Sequence, residues 1–317
     1  MPKTAPAPIY DARALGLPKM VLLGMQHMFA MFGATVIVPL VTGLPVETTL
    51  LTVGLGTLLF HLATGGGVPA FLGASFAFIG GYAAVAPLLP GDLPNTALLP
   101  YAGAGVAAAG LLHLLAAVLA KVFGSGRLLR LFPPLVTGPI IIAIGLGLAP
   151  GAVDSCRQCW PVALSALAVI VACNVFGRGM LRIMPILCGV LASYAVAYAM
   201  GLVDFAPIRA AAWIGAPLHK ANLVPGNVPD WGTLASAVIA IAPIAIATMM
   251  EHVGDICAIS TTIGKDLLRS PGLHRTLAGD GLATVVASLC GGSACTTYGE
   301  NTGVRPSRAS TIRASSA

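Results

Sequence analysis

The sequence predicts an all-α protein threaded many times through a membrane, and three observations carry that reading. Hydrophobic residues make up 57% of the chain and charged residues only 9%, whereas a soluble domain carries about a quarter charged residues. Apolar runs of 17 or more residues recur along it, each long enough to cross a hydrocarbon core of about 30 Å as a helix. Lys and Arg fall in the gaps between those runs and collect on one side of them.

Spans are expected at about 20–42, 49–65, 68–88, 97–122, 132–149, 160–176, 184–200, 234–251 and 280–292, with a tenth starting near Tyr298. The first run starts near Lys19, passes through polar and Gly positions and lacks a small-residue cleavage site, so it is not read as a cleaved signal peptide. With the N-terminus inside, one membrane face receives eleven basic residues, namely Lys3, Arg13, Lys19, Lys121, Arg127, Arg130, Arg178, Arg182, Lys265, Arg269 and Arg275. The other receives only Arg157, Arg209 and Lys220. Short basic loops stay cytoplasmic, which orients the chain N-in and fits a bacterial inner membrane. The net charge of +6 is thereby spent on loop orientation; spread singly, it makes no nucleic-acid surface.

Two stretches resemble each other at an offset of about 225 residues: Gly54-x-Gly56, then Gly65-Gly66, before VPAFLGASFAF, and Gly279-x-Gly281, then Gly291-Gly292, before SACTTYGEN. In the N-in arrangement the two run through the membrane in opposite senses, which hints at an inverted repeat. Transporters built that way place their site near the midplane, where interrupted segments of the two halves meet.

Five of the seven cysteines (Cys173, Cys188, Cys257, Cys290 and Cys295) lie in or beside apolar runs, where Cys acts as a small hydrophobe. Cys156 and Cys159 form a C-x-x-C that could be a disulfide or half a metal site, yet no second pair and no preceding strand accompany it. No metal and no cofactor are expected, and an enzyme built on this pair is the weakest reading.

The acids are more informative. Asp11, Glu47, Asp92, Asp154, Asp204, Asp230 and Asp266 fall in expected loops or ends, with Asp280 near an expected helix start. Glu251, Asp255 and Glu300 sit in or beside apolar segments. Inserting a carboxylate at membrane depth costs roughly 2.5 to 3.5 kcal/mol, so it is read as a substrate or proton site. Glu251 and Asp255, four apart in MMEHVGDIC, share a helix face, whereas His252 points about 100° away. Two carboxylates on one dry face do not both stay ionised, so one holds a proton near neutral pH. The alternative is that the helix ends near Glu251 and leaves Asp255 in headgroup water.

In ACTTYGEN, Thr296, Thr297 and Tyr298 favour extended backbone, Gly299 lets backbone approach a ligand, and Glu300 with Asn301 brings polar groups to a helix start. GASFAF has the same character, with small Gly73, Ala74 and Ser75 before the flat Phe76 and Phe78. Non-helical backbone at membrane depth survives only where it is buried in protein or lines a cavity. Carboxylates, free N–H groups and an aromatic face suit a planar molecule with alternating N–H and C=O edges, such as a pyrimidinedione.

With these residues in view, QHMFAMFGATVIVPLVTGL, VPAFLGASFAFIGG, EHVGDICAIS, GKDLLRSPGLHRTLAGDGLAT and TTYGENTGV resemble the nucleobase-ascorbate transporter family in its bacterial uracil permease branch, from about Lys19 to Val304. The resemblance implies a fourteen-helix fold of two inverted seven-helix repeats, with short strands in spans 3 and 10. It divides this chain into a cytoplasmic segment (1–18), a first repeat (19–200; core spans 1–4, gate spans 5–7), the start of a second repeat (201–304; spans 8–10) and an aberrant polar tail (305–317). It implies proton symport of uracil by alternating access, with the proton, the nucleobase and the bilayer as partners, and it admits a homodimer. Carried over by position, Glu251 and Glu300 are the base-binding acids, Phe76 the stacking ring, Gly299 and Tyr298 further contacts and Ala34 a small residue facing the pocket. Proton coupling falls to Glu251, Asp255 and Glu300.

Two departures stand inside the motifs: Asp255 occupies a position where several uracil permeases have His, and Cys295 replaces an Asn. The tail RPSRASTIRASSA cannot span. Read one nucleotide out of register from GC-rich codons, RPSRASTIRASS gives P-V-T-R-V-Y-D-P-R-V-I, which resembles the family's continuation. A frameshift after Val304 is therefore expected. A purine carrier such as a xanthine permease remains an alternative within the class, and a non-transporting remnant an alternative outside it.

Overall fold

The computed structural model describes residues 17–298 apart from 125, 128–133, 178–180, 182–184, 207–208 and 210–214. In chain order its helices are α1 (Leu17–Thr42), α2 (Val46–Thr64), α3 (Ile79–Val85), α4 (Leu99–Phe123), α5 (Pro134–Gln158), α6 (Trp160–Phe176), α7 (Pro185–Ala199), α8 (Trp231–Ile241), α9 (Ile244–Ile263) and α10 (Leu273–Leu289). Two strands, β1 (Leu72–Ala74) and β2 (Cys295–Thr297), interrupt the helical pattern. By length and composition, three helical stretches are apolar enough to cross a membrane among the described residues: Val46–Thr64, Leu99–Phe123 and the α8–α9 unit Trp231–Ile263. The chain is membrane-embedded.

Local chemistry sets the breaks. Gly65 ends α2 in the left-handed region at φ 63°, which costs a glycine nothing. Asp230 starts α8 by accepting from Thr233 N at 2.8 Å and Gly232 N at 3.3 Å. The hydroxyl of Thr233 adds a further bond, and together these hold the Asp230 carboxyl below its usual range. Pro243 separates α8 from α9 because it has no N–H to give the ladder. Where a helix end at Glu251 was the alternative, α9 instead runs on to Ile263, so the expected 234–251 span is too short at its C-terminal end. The 68–88 span is not one helix either: it consists of β1, a 3-10 turn at Phe76–Phe78 and the short α3. Cys156 and Cys159, both free thiols, lie at the corner between α5 and α6, and Asp154, expected in a loop, lies within α5 and pairs with Arg157 at 2.8 Å.

The core forms where α10 packs between α4 and α2. Lipid provides no hydrophobic drive between helices, so close backbone approach through small residues has to supply the contact. Gly110 of α4 and Gly281 of α10 face each other across this seam. A Cβ on Gly281 would stand 2.8 Å from the Gly110 carbonyl oxygen, and one on Gly110 would stand 3.0 Å from the Gly281 carbonyl. Ala102, Ala109, Ala283 and Ala287 continue the buried small-residue surface.

β1 and β2 pair antiparallel beside this core, with Leu72 opposite Thr297, Gly73 opposite Thr296 and Ala74 opposite Cys295. A two-stranded ribbon leaves outward N–H and C=O groups that lipid cannot satisfy. One threonine per strand meets that need. Thr57 of α2 accepts from Leu72 N at 3.2 Å and donates to Leu72 O at 3.4 Å. Thr284 of α10 accepts from Cys295 N at 3.3 Å and donates to Cys295 O at 2.8 Å.

Candidate functional site

The ribbon places the two aromatic residues singled out from sequence. Tyr298 follows β2 directly; its N–H donates to Phe71 O at 3.2 Å and its hydroxyl donates to Ala74 O at 2.9 Å. The ring therefore folds back across β1, and only glycine fits beneath it, because a Cβ on Gly73 would run into the ring. Phe76, half-buried in the turn after β1, packs with Phe71 against the buried pair Met31 and Tyr298. Aromatic rings from both interrupted segments thus meet in one place, with Met31 of α1 against them.

α9 packs on the Phe76 turn and on β2, and it carries Glu251 and Asp255. Both acids are half-buried and lie one helical turn apart on one face. Asp255 accepts a 2.9 Å hydrogen bond from the Thr297 hydroxyl of β2.

Behind these acids lies a cluster that the sequence reading did not assemble. Asp280 was expected near a helix start; it lies in the body of α10, fully buried. Asp280 Oδ2 is 3.5 Å from His113 Nε2 of α4, and Asp280 Oδ1 is 3.7 Å from His252 Nδ1 of α9. Both imidazoles are as buried as the acid. His113 Nδ1 donates to Ala109 O at 3.0 Å, while Thr248 of α9 approaches Nε2 at 3.3 Å. His252 Nδ1 stands 3.4 Å from Thr297 Oγ1, and Phe60 of α2 presents its edge to the ring. His252 does point away from its two acidic neighbours along the helix, and what it points into is this cluster. The signal available in sequence was an Asp inside a Gly/Ala-rich apolar stretch together with a lone His in the apolar α4 run.

Cys295, at the position where the resemblance expects Asn, is buried with its sulfur beside Gly56 of α2. Among the described residues, no group of three His, Cys, Asp or Glu side chains is close enough to hold a metal ion. Ala34 lies in α1, but its side chain is outside the described residues, as are Gly299, Glu300 and everything beyond.

Similarity to known proteins covers nearly the whole chain. A family model described as a permease family matches residues 18–306. A protein named "Probable uracil permease" from Pasteurella multocida (strain Pm70) is 42% identical over 294 residues, which is 90% of this chain and 66% of that protein. The uracil permease of Bacillus caldolyticus is 41% identical over 296 residues, 90% of this chain and 65% of the relative. That of Bacillus subtilis (strain 168) is 38% identical over 297 residues, 90% and 66% respectively. The chain thus spans about two thirds of the length of these relatives.

Proposed function

The chain belongs to the permease family, and from that premise we propose that it carries uracil, or a closely related nucleobase, with a proton across a bacterial inner membrane by alternating access. The observation that carries the reading is the packing of α9, with Glu251 and Asp255 on one face, against β2 and the Phe76 turn, beside which Phe76 and Tyr298 meet. A planar base needs an acceptor for its N–H edge and a flat apolar surface for its ring, and this site offers both kinds of group. Glu251 takes the N–H edge and Phe76 stacks; the binding roles that the resemblance gives Glu300, Gly299 and Ala34 belong to the same proposal. The proton resides among Glu251, Asp255 and Glu300, where like charges at membrane depth cannot all persist.

The architecture expected from the resemblance belongs to the same proposal. The Thr57–Leu72 and Thr284–Cys295 clamps repeat one device at corresponding places in the two Gly-rich segments, which supports an inverted repeat with interrupted spans 3 and 10. The core moves against a gate, and the eleven-to-three loop bias supports a cytoplasmic N-terminus.

Calorimetric titration of the purified chain with uracil, with xanthine as competitor, tests the reading. Uracil binding that xanthine does not displace is the expected result. Preference for xanthine would move the assignment to a purine carrier, and the absence of any nucleobase binding would remove it.

A further inference from the structure

We propose that His113, Asp280 and His252 form a second proton-holding centre, in which one exchangeable proton is shared between His113 Nε2 and Asp280 Oδ2, connected to Asp255 through His252 and Thr297. The role of this centre in transport rests on the function proposed above; the existence of the shared proton does not.

The argument is a count of donors and acceptors. His113 Nδ1 faces a backbone carbonyl, which only accepts, so Nδ1 carries a hydrogen. In a neutral imidazole Nε2 would then be a lone pair; the Thr248 hydroxyl stands 3.3 Å from it but also faces the helix carbonyls of Ala245 at 3.2 Å and Ile244 at 3.4 Å, and Nε2 looks at a carboxylate oxygen 3.5 Å away. Two lone pairs facing each other in a fully buried site repel, and a proton between them turns the contact into a charge-assisted hydrogen bond. Whether it resides on nitrogen, as imidazolium beside carboxylate, or on oxygen, as a carboxylic acid beside imidazole, the pair has the same total charge of zero. Without it, Asp280 would be a bare carboxylate buried in the centre of a membrane protein, the arrangement with the largest desolvation penalty.

The groups around Asp280 do not supply that missing charge by other means. The elements packed on α10 present His113 from α4, His252 from α9 and the buried Cys295 thiol from β2, while α2 presents Phe60. His252 Nε2 is buried and has no hydrogen-bond partner, so His252 is the neutral imidazole with its hydrogen on Nδ1. That hydrogen points to Thr297 Oγ1 at 3.4 Å, and Thr297 passes its own hydrogen to Asp255 Oδ2 at 2.9 Å. The direction of the whole chain is thereby fixed by the state of Asp255. When Asp255 is protonated it can itself donate to Thr297 Oγ1, and it then competes with the His252 Nδ1 hydrogen for that oxygen. The Nδ1 hydrogen then turns toward its other neighbour, Asp280 Oδ1, 3.7 Å away. The two centres are coupled through the choice of acceptor at His252 Nδ1, and the coupling is reciprocal.

The test uses the chain with ring-15N-labelled histidine in lipid nanodiscs. Its six histidines are assigned by single replacement with Gln, and nitrogen protonation is followed from about pH 5 to 9, the range in which a free imidazole titrates. The expected result is a His113 Nε2 signal of a hydrogen-bonded, shared proton across that range. In Asp280→Asn it is lost and leaves a neutral ring with hydrogen on Nδ1 alone. Should that variant not fold, His113→Gln read by infrared spectroscopy of the Asp280 carboxyl group serves instead, and the carboxyl is expected to become a protonated acid. A bare His113 Nε2 in the unaltered chain, or an Nε2 signal that Asp280→Asn leaves unchanged, overturns the shared proton. Asp255→Asn should shift the His252 Nδ1–H resonance in the unaltered background and not in Thr297→Val; a shift that survives Thr297→Val overturns the relay. Uracil titration of the same nanodiscs reports separately on the function: loss of binding with the His113 signal intact would defeat the nucleobase reading and leave this centre standing.

Discussion

Replacing Gly281 by Ala tests the seam that brings His113 to Asp280. The new methyl carbon would lie 2.8 Å from both Gly110 O and His113 Cβ, and 3.1 Å from Leu114 N. Non-bonded carbon atoms rest at roughly 3.5 to 4.0 Å, so about 1 Å must open, and backbone atoms on both sides leave no flexible side chain to yield. Overpacking of this kind costs about 1–3 kcal/mol, offset by up to about 1 kcal/mol from the better helix propensity of Ala. The net expectation is a destabilisation of about 1–2 kcal/mol. Gly54→Ala is the internal control, because nothing lies within 4 Å of its Cβ position, and it should be neutral or slightly stabilising. Reversible unfolding in mixed micelles or by steric trapping in bicelles measures both. Equal stability of the two variants would refute the close backbone contact and the physical basis given for the His113–Asp280 approach.

Four further outcomes follow from the site. Glu251→Gln keeps the shape and removes the charge, so calorimetry should show loss of uracil binding with normal membrane insertion; near-normal affinity would end the assignment of Glu251. Gly73→Ala drives the Tyr298 ring off β1 and breaks its bond to Ala74 O, a loss of about 1 kcal/mol or roughly fivefold in uracil affinity, whereas unchanged binding would place Tyr298 outside the site. Whole-cell uptake by a permease carrying this site should collapse when a protonophore dissipates the proton gradient, and uptake that follows a sodium gradient instead would contradict proton coupling. Asp230 contributes its cap while ionised, above its unfolded-state pKa, and the contribution disappears as pH falls through the lowered folded value. The protection factors of the Gly232 and Thr233 amides, taken against the intrinsic exchange rate at each pH, should accordingly fall at acid pH, and in Asp230→Ala at every pH; protection indifferent to both would remove the cap.

What could be read from the residues was whatever follows from composition along one helix. The apolar runs gave α2, α4 and α6 nearly to their ends because lipid selects for run length itself. Glu251 and Asp255 on one face required only the helical period. Boundaries failed where partners decide them: α9 continues past Glu251, and Asp255 meets its partner Thr297 on β2, 42 residues later in the chain, which no local signal announces. Asp280 was misjudged for the same reason. Its burial depends on Gly110 admitting α10 closely enough for His113 to reach it, a contact between residues 167 positions apart. His113, read in isolation, is a polar interruption in an apolar run, and only the packing of α4 on α10 gives it a partner.

The ribbon has a consequence for how the molecule is made. Gly73 pairs with Thr296, 223 residues later in the chain, and at synthesis rates of about 5–20 residues per second the first strand waits roughly 10 to 45 s for the second. During that interval Thr57, already in place on the preceding helix, occupies one edge of β1 while the other stays open. Asp255 emerges before Thr297 as well, and it too must wait for its donor. The nascent protein therefore passes through a stage in which a sheet edge and an acid are both exposed at membrane depth. Whatever holds the growing chain then, translocon wall or water, acts as a temporary stand-in for seven residues not yet synthesised, those from Gly291 to Thr297.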